Sequence, residues 1–298
     1  AHPLPAPATS PAWRRALHAA SDALEEVITG TKGIAATRIA FALDGRIWTI
    51  DSDGANAAPV AGTRALSPAW SPAGDAIAYA ELEAAGSSIR VADLRGGARV
   101  VVPAQGLNVS PTWAPDGRGI AYAHGVDVGT DLWLAPASGG RGVRIALGRG
   151  SDNTSPTFSP DGGRLAFTSG RAGNPDVFVA DADGTNVDAL AALSRDGSNY
   201  RASPDWSPDG RAIAFQARLD GRFQVMVATL RDRAVTQLTR EGANEDPSWA
   251  PDARHLVVAS TRSGQRQLWV LDAESGRARQ LTRLPGARLP AWSPRLAR

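Results

Sequence analysis

Six copies of one short motif restrict this chain to very few folds. Ser67-Pro68-Ala69-Trp70-Ser71-Pro72-Ala73-Gly74 recurs as Ser110-Pro111-Thr112-Trp113-Ala114-Pro115-Asp116-Gly117. Ser155-Pro156-Thr157-Phe158-Ser159-Pro160-Asp161-Gly162 and Ser203-Pro204-Asp205-Trp206-Ser207-Pro208-Asp209-Gly210 follow. A fifth copy, Asp246-Pro247-Ser248-Trp249-Ala250-Pro251-Asp252-Ala253, lacks the glycine, and a sixth is Leu289-Pro290-Ala291-Trp292-Ser293-Pro294. The aromatic anchors are 43, 45, 48, 43 and 43 residues apart. Repeats of this length cannot bury a core singly and must stack.

Each repeat reads as four strands. The P-x-W segment is the first, and Ser-Pro-Asp-Gly then suits a type I turn, with Pro second and Gly fourth. Segments such as Ile120-Ala121-Tyr122 supply the second strand and Leu132-Trp133-Leu134 or Val225-Met226-Val227 the third. Their β-branched and aromatic residues suit strands. Weaker apolar segments, of which Gln237-Leu238-Thr239 is one, supply the fourth. Four-stranded units of 40–50 residues are propeller blades. The expected fold is therefore all-β, a six-bladed β-propeller over residues 37–298. The sixth P-x-W strand, at Trp292, has no strands after it, while Arg38–Phe41 and Arg46–Asp51 stand spare at the other end. One blade is thus expected to combine both termini and so close the ring without leaving open edges.

Residues 1–36 read differently. Ala1–Ala8 is rich in Pro and Ala and is expected to be disordered. Ser10 and Pro11 open a helix as N-cap and first turn. Trp13, Leu17, Ala20, Leu24, Val27 and Ile28 then make one apolar face, and Gly30 ends it. That face must be covered, by the propeller, by a domain of which this helix is the remnant, or by both. The chain starts at Ala1 without Met or a charged-then-apolar leader, as expected of a processed form or an excised piece.

Composition excludes several function classes. Lys and Arg number 32 against 30 Asp and Glu, a net of +2, and no basic run marks a nucleic-acid surface. Zero cysteines exclude disulfides, thiolate zinc and thiol nucleophiles. The longest uncharged stretch, Val100–Pro115, holds three prolines and cannot be a membrane helix, so no membrane insertion is expected. His2, His18, His124 and His255 are scattered, so no metal site is expected. Asp51–Asn56 and Asp181–Asn186 superficially match a calcium loop but lack its twelfth-position carboxylate, and Asp-Gly between strands reads as a turn. The periodic aromatics read as inter-blade core.

The loops before the P-x-W strands carry a polar signal. Asn108, Asn153 and Asn244 each stand three residues before their Pro, with Asp246 close by. Six such loops converge around a propeller axis on one face. Asparagine is also simply a good turn residue, so a polar ring that catches a protein segment and plain turn chemistry both remain open.

The repeat resembles the propeller repeat named for its Pro-Asp pair, shared by TolB, by propellers of prolyl oligopeptidase-like hydrolases and by some polysaccharide lyases. The flanks choose among these. His18-Ala19-Ala20-Ser21-Asp22, Thr29-Gly30-Thr31-Lys32-Gly33, Thr37-Arg38-Ile39-Ala40-Phe41 and the closing Pro290-Ala291-Trp292-Ser293-Pro294 resemble the TolB family. The resemblance covers about residues 13–298. It implies a non-catalytic periplasmic component of the Tol–Pal system that binds the lipoprotein Pal through the propeller and supports envelope integrity and constriction at division. It implies no cofactor, and a monomer. The family's extreme N-terminal segment, which engages TolA, has no counterpart in Ala1–Ser10. Pal-contacting positions of the family, carried across, fall on Leu107, Ser110, Thr154 and Ser155. Thr154 matches, whereas the family can show His, Ala and Glu at the other three. The hydrolase reading needs a Gly-x-Ser-x-Gly elbow, which is absent, and the lyase reading needs clustered histidines. A propeller scaffold or sensor with another protein partner is the remaining alternative.

Overall fold

The structure is a computed structural model that describes residues 11–145, 147–148, 152–190 and 200–296. Among the described residues one helix, α1 (Pro11–Thr29), precedes twenty-four strands in six four-stranded antiparallel sheets. In chain order the first complete blade is β4 (Ala65–Trp70), β5 (Ala76–Glu83), β6 (Gly86–Asp93) and β7 (Ala98–Val102). Next come β8 (Asn108–Trp113), β9 (Gly119–Gly125), β10 (Thr130–Pro136) and the two-residue β11 (Val143–Arg144). The third comprises β12 (Thr154–Phe158), β13 (Arg164–Ser169), β14 (Asp176–Asp181) and β15 (Asp188–Ala189). The fourth is β16 (Arg201–Trp206), β17 (Ala212–Leu219), β18 (Arg222–Thr229) and β19 (Val235–Gln237). The fifth is β20 (Asn244–Trp249), β21 (His255–Ser260), β22 (Gln267–Asp272) and β23 (Ala278–Gln280).

The sixth blade has strand order β24-β1-β2-β3, from β24 (Arg288–Trp292), β1 (Arg38–Leu43), β2 (Arg46–Asp51) and β3 (Ala58–Ala61). Trp292 faces Ile39 across this junction. The ring closes through its terminal strands, as the leftover segments implied. Only the fourth strands depart: β19 ends at Gln237, before Leu238 and Thr239.

Local chemistry explains the repeat. In each of the first four repeat turns, Pro-Ala-Gly once and Pro-Asp-Gly three times, the glycine amide bonds the carbonyl three residues back, at 2.8–2.9 Å, as in Gly74 to Ser71. The four glycines have φ of 72–74°, a left-handed conformation that glycine alone adopts without strain. Ala253 holds the same place in the fifth turn at φ 56°. The residue before each P-x-W proline is also left-handed: Ser67, Ser110, Ser155, Ser203, Asp246 and Leu289 have φ of 50–53°. The inner strands shift register around this pair, a bulge that accommodates a proline with no N–H to donate. The aromatic anchors then pack between blades; Trp70, Trp206, Trp249 and Trp292 are each 6–8% exposed. Trp113 Nε1–H reaches the Ala69 carbonyl of the preceding blade at 3.2 Å.

Helix α1 lies against the face that carries the Pro-Asp turns, but by its polar side. Asp22, 3% exposed, accepts the Ala35 and Ala36 amides at 2.6 and 2.9 Å. Arg14 and His18 both pair with Asp53 in the β2–β3 turn. Burial alone would raise the Asp53 carboxyl, yet the Ala55 amide, Arg14 and His18 hold it below its ordinary value. The later part of the apolar stripe faces outward instead: Leu24, Val27 and Ile28 are 61%, 83% and 73% exposed, whereas Trp13 and Ala20 are half-buried. Of the alternatives that the sequence left open, cover by the propeller does not apply to Leu24, Val27 and Ile28. The buried carboxylate outcompetes the stripe because two loop amides are otherwise unpaired. The Ser10 cap and the Pro/Ala-rich start lie outside the described residues. No helix among the described residues is long and apolar enough to cross a membrane.

Candidate functional site: the axial channel and its loop face

The six inner strands surround an axial channel of about 520 Å³. The left-handed residues Ser67, Ser110, Ser155, Ser203, Asp246 and Leu289 all line it. The bulge thus turns four hydroxyls and one carboxyl toward the lumen, and the pattern follows from Ser-Pro itself.

Two carboxyls charge the channel. Asp205 is partly open to the lumen, yet the lumen is so enclosed that burial pushes its carboxyl up to about 7. The Trp249 amide, 2.7 Å from Oδ2, and the Ser248 hydroxyl pull the other way. Asp246 is pushed up to about 6, by burial first and then by the charge of Glu245, against Arg266.

The three asparagines do not join this surface. Asn108, Asn153 and Asn244 are fully buried, and their amides tie neighbouring blades together. Asn108 Nδ2 donates to the Ser87 carbonyl at 2.6 Å, Asn153 Nδ2 to Asp131 Oδ1 at 3.1 Å, and Asn244 Nδ2 to Gln224 Oε1 at 3.0 Å. Arg201 occupies the corresponding place in the fourth repeat and pairs with Asp176 at 3.1 Å. The three asparagines form an internal seam between blades, which is neither the polar ring nor the plain turn chemistry that the sequence left open. Its reason is the cost of leaving the first inner-strand groups unpaired between packed blades.

Each asparagine oxygen is held by a residue absent from the candidate set. Arg171 donates to Asn153 Oδ1 at 3.4 Å and Arg262 to Asn244 Oδ1 at 2.8 Å. Both guanidiniums sit over aromatic rings, Arg171 on Phe167 and Phe178 and Arg262 on Trp269, at 5.0–5.2 Å. His124 does this work in the β8–β11 blade, its Nδ1 lying 2.7 Å from Asn108 Oδ1. The matching Ser169-Gly170-Arg171 and Ser260-Thr261-Arg262 strings were the available sequence signal.

The remaining candidates divide in two. Ser110, Ser155 and Asp246 face the channel. Leu107, 43% exposed, and the half-buried Thr154 belong to the start of β8 and β12, at the channel end opposite the Pro-Asp turns and α1. The described histidines are engaged structurally: His18 on Asp53, His124 on Asn108, and His255 on Asp252 at 2.6 Å. His2 lies outside the described residues. The Asp51 and Asp181 loops are hairpin turns, in which Gly54 and Gly184 amides bond the Asp51 and Asp181 carbonyls at 2.8 Å.

A closed ring of Pro-Asp blades with a hydroxyl-lined lumen and one loop-rich end defines a six-bladed β-propeller of the Pro-Asp repeat class. Comparison with known proteins makes this specific. The family model described as the TolB beta propeller domain matches residues 25–296, and the chain belongs to that family. The chain is 37% identical over 113 residues to the Tol-Pal system protein TolB of Thioalkalivibrio sulfidiphilus, covering 34% of this chain and 26% of that protein. The Xylella fastidiosa (strain M12) protein of the same name is 37% identical over 112 residues, with the same coverage. The crystal structure of TolB from Acinetobacter baumannii superposes with a TM-score of 0.85 at 27% identity, over 96% of this chain and 73% of that one. The matched segment thus spans about a quarter of those two curated relatives.

Proposed function

We propose that this chain is the partner-binding propeller of a Tol–Pal envelope system, acting in the periplasm without catalysis. It receives the lipoprotein Pal at the channel end opposite α1 and so contributes to outer-membrane integrity and to constriction at division. The observation that carries this reading is the placement of Leu107 and Thr154, on adjacent blades, beside the channel hydroxyls of Ser110 and Ser155. A rigid ring presenting loop residues around a polar lumen offers donors and acceptors to an extended segment at little ordering cost.

The test is calorimetry of purified Pal against Leu107→Glu, Thr154→Glu and the control Asp183→Arg, which alters an exposed turn on the face of α1. The first two weaken binding at least tenfold, as central interface positions can, while the control leaves it unchanged. Equal affinity for all three variants would reject this face, and no Pal binding by the unaltered protein would reject the partner.

A further inference from the structure

The boundary between the β4–β7 and β8–β11 blades holds a second cavity, remote in chemistry from the axial channel. It encloses about 620 Å³ and is lined by Val101, Val102, Tyr122, His124, Trp133 and Arg141. That volume is in the range of small-molecule sites.

The groove exists because this boundary is filled differently from its counterparts. In the third and fifth blades a long arginine, Arg171 or Arg262, reaches back to cover the aromatic residues and the seam asparagine. Here the shorter His124 does so from within β9, 5.1 Å from the Trp133 ring and 6.4 Å from Tyr122. The outer strand β11 has only two residues, preceded by Gly139-Gly140-Arg141-Gly142. Gly142 passes so close that a Cβ there would lie 2.5 Å from the Tyr122 hydroxyl.

Three polar groups converge on the space. Tyr122 is 3% exposed, burial raises its phenol above the ordinary value, and its hydroxyl has no hydrogen-bond partner among the described residues. The hydroxyl is reached from the cavity, where a ligand or water can meet it. Asn108 directs its amide N–H groups to the Ser87 and Pro103 carbonyls, so its oxygen faces His124 Nδ1 and fixes that nitrogen as the donor. In the neutral ring Nε2 is then an acceptor. Arg141 is exposed and makes no ion pair among the described residues.

We propose that this groove binds a small hydroxylated ring carrying one carboxylate, the chemistry of an acidic sugar. The single guanidinium selects a monoanion over a polyphosphate. The imidazole Nε2 and the phenol take hydroxyl or amide donors. The Trp133 ring and the Val101–Val102 wall accept the apolar face of the ring.

The test uses N-acetylmuramic acid as probe and neutral N-acetylglucosamine as comparison, with binding to the full chain followed by ligand-observed NMR titration. Tyr122→Phe deletes only an unpartnered hydroxyl and Arg141→Ala only an exposed side chain, so both variants keep the unaltered melting temperature. Saturable binding of the acid is expected, at least tenfold tighter than the neutral sugar and weakened at least fivefold by each variant. Absence of saturable binding, equal affinity for the two sugars, or equal affinity in both folded variants would overturn the proposal.

Discussion

Trp292 donates its indole N–H to the Thr37 hydroxyl at 2.8 Å, across 255 residues of chain. The same tryptophan faces Ile39 in the closing strand pair and is 6% exposed. Trp292→Ala therefore removes a large buried ring and a hydrogen bond at the joint that closes the circle. It should cost about 3–5 kcal/mol in urea unfolding. Removal of Leu289–Arg298 should abolish cooperative melting, because β1 then presents an open apolar edge. Unchanged cooperative melting of that truncation would contradict ring closure as the source of stability.

Ala253→Gly should stabilise the protein. Ala253 sits at φ 56° where the four other turns hold glycine, and a left-handed alanine costs about 1 kcal/mol that glycine avoids. Gly74→Ala, the reverse change at φ 72°, should destabilise by at least as much, since its added Cβ would approach Leu296 at 2.7 Å. Chemical denaturation of both variants measures the two signs.

The channel carboxyl at Asp205 gives a pH signature. Its folded value, about 7, lies above the unfolded one. Between about pH 4 and pH 7 the native state thus keeps a proton that the unfolded chain has released, and stability falls as pH rises through that window. Asp205→Asn removes the penalty while its side-chain oxygen can still accept the Trp249 amide. The variant should gain most over the parent at pH 8, on the order of a few kcal/mol, and least at pH 4. A gain that does not depend on pH would show that Asp205 is not desolvated.

The two sides of α1 should respond in opposite proportion to their hydrophobicity. Asp22→Ala leaves the Ala35 and Ala36 amides without their acceptor, at a cost of about 1–3 kcal/mol. Val27→Lys alters a residue 83% exposed and should change stability by no more than about 0.5 kcal/mol. Limited proteolysis reports the first as faster cleavage around residues 30–36. Equal sensitivity of the two variants would mean that the helix does not dock through Asp22.

Blade number, strand order and the Ile39–Trp292 pairing were all readable from the repeat, because a period of 43–48 residues and a missing set of strands leave one way to close. What failed were the readings that depended on which way a side chain points. Asn153 and Thr154 are neighbours in sequence with similar polarity, yet one is sealed between blades and the other is half-buried at the loop face. Successive residues of an extended strand face opposite ways, and the sequence does not tell which of the two meets the neighbouring blade. The stripe from Leu17 to Ile28 left its cover open for a related reason. Spacing shows that a helix has an apolar side, but a single carboxylate with two amide partners decided which side docks. Asp205 was overlooked because it stands in the variable position of P-x-W, where the other repeats have Ala, Thr or Ser.

The closing pair also sets an order of events in time. A chain made from its N-terminus produces β1 before the other described strands and its partner β24 after them. During that interval Ile39 and Phe41 have only one of their two neighbouring strands. Five blades can form as they emerge, each from contiguous sequence, but the sixth must wait for the far end of the chain to return. The protein's most vulnerable hour is therefore its synthesis, when one half-made sheet, supplied from both ends, stays open until the last strand arrives.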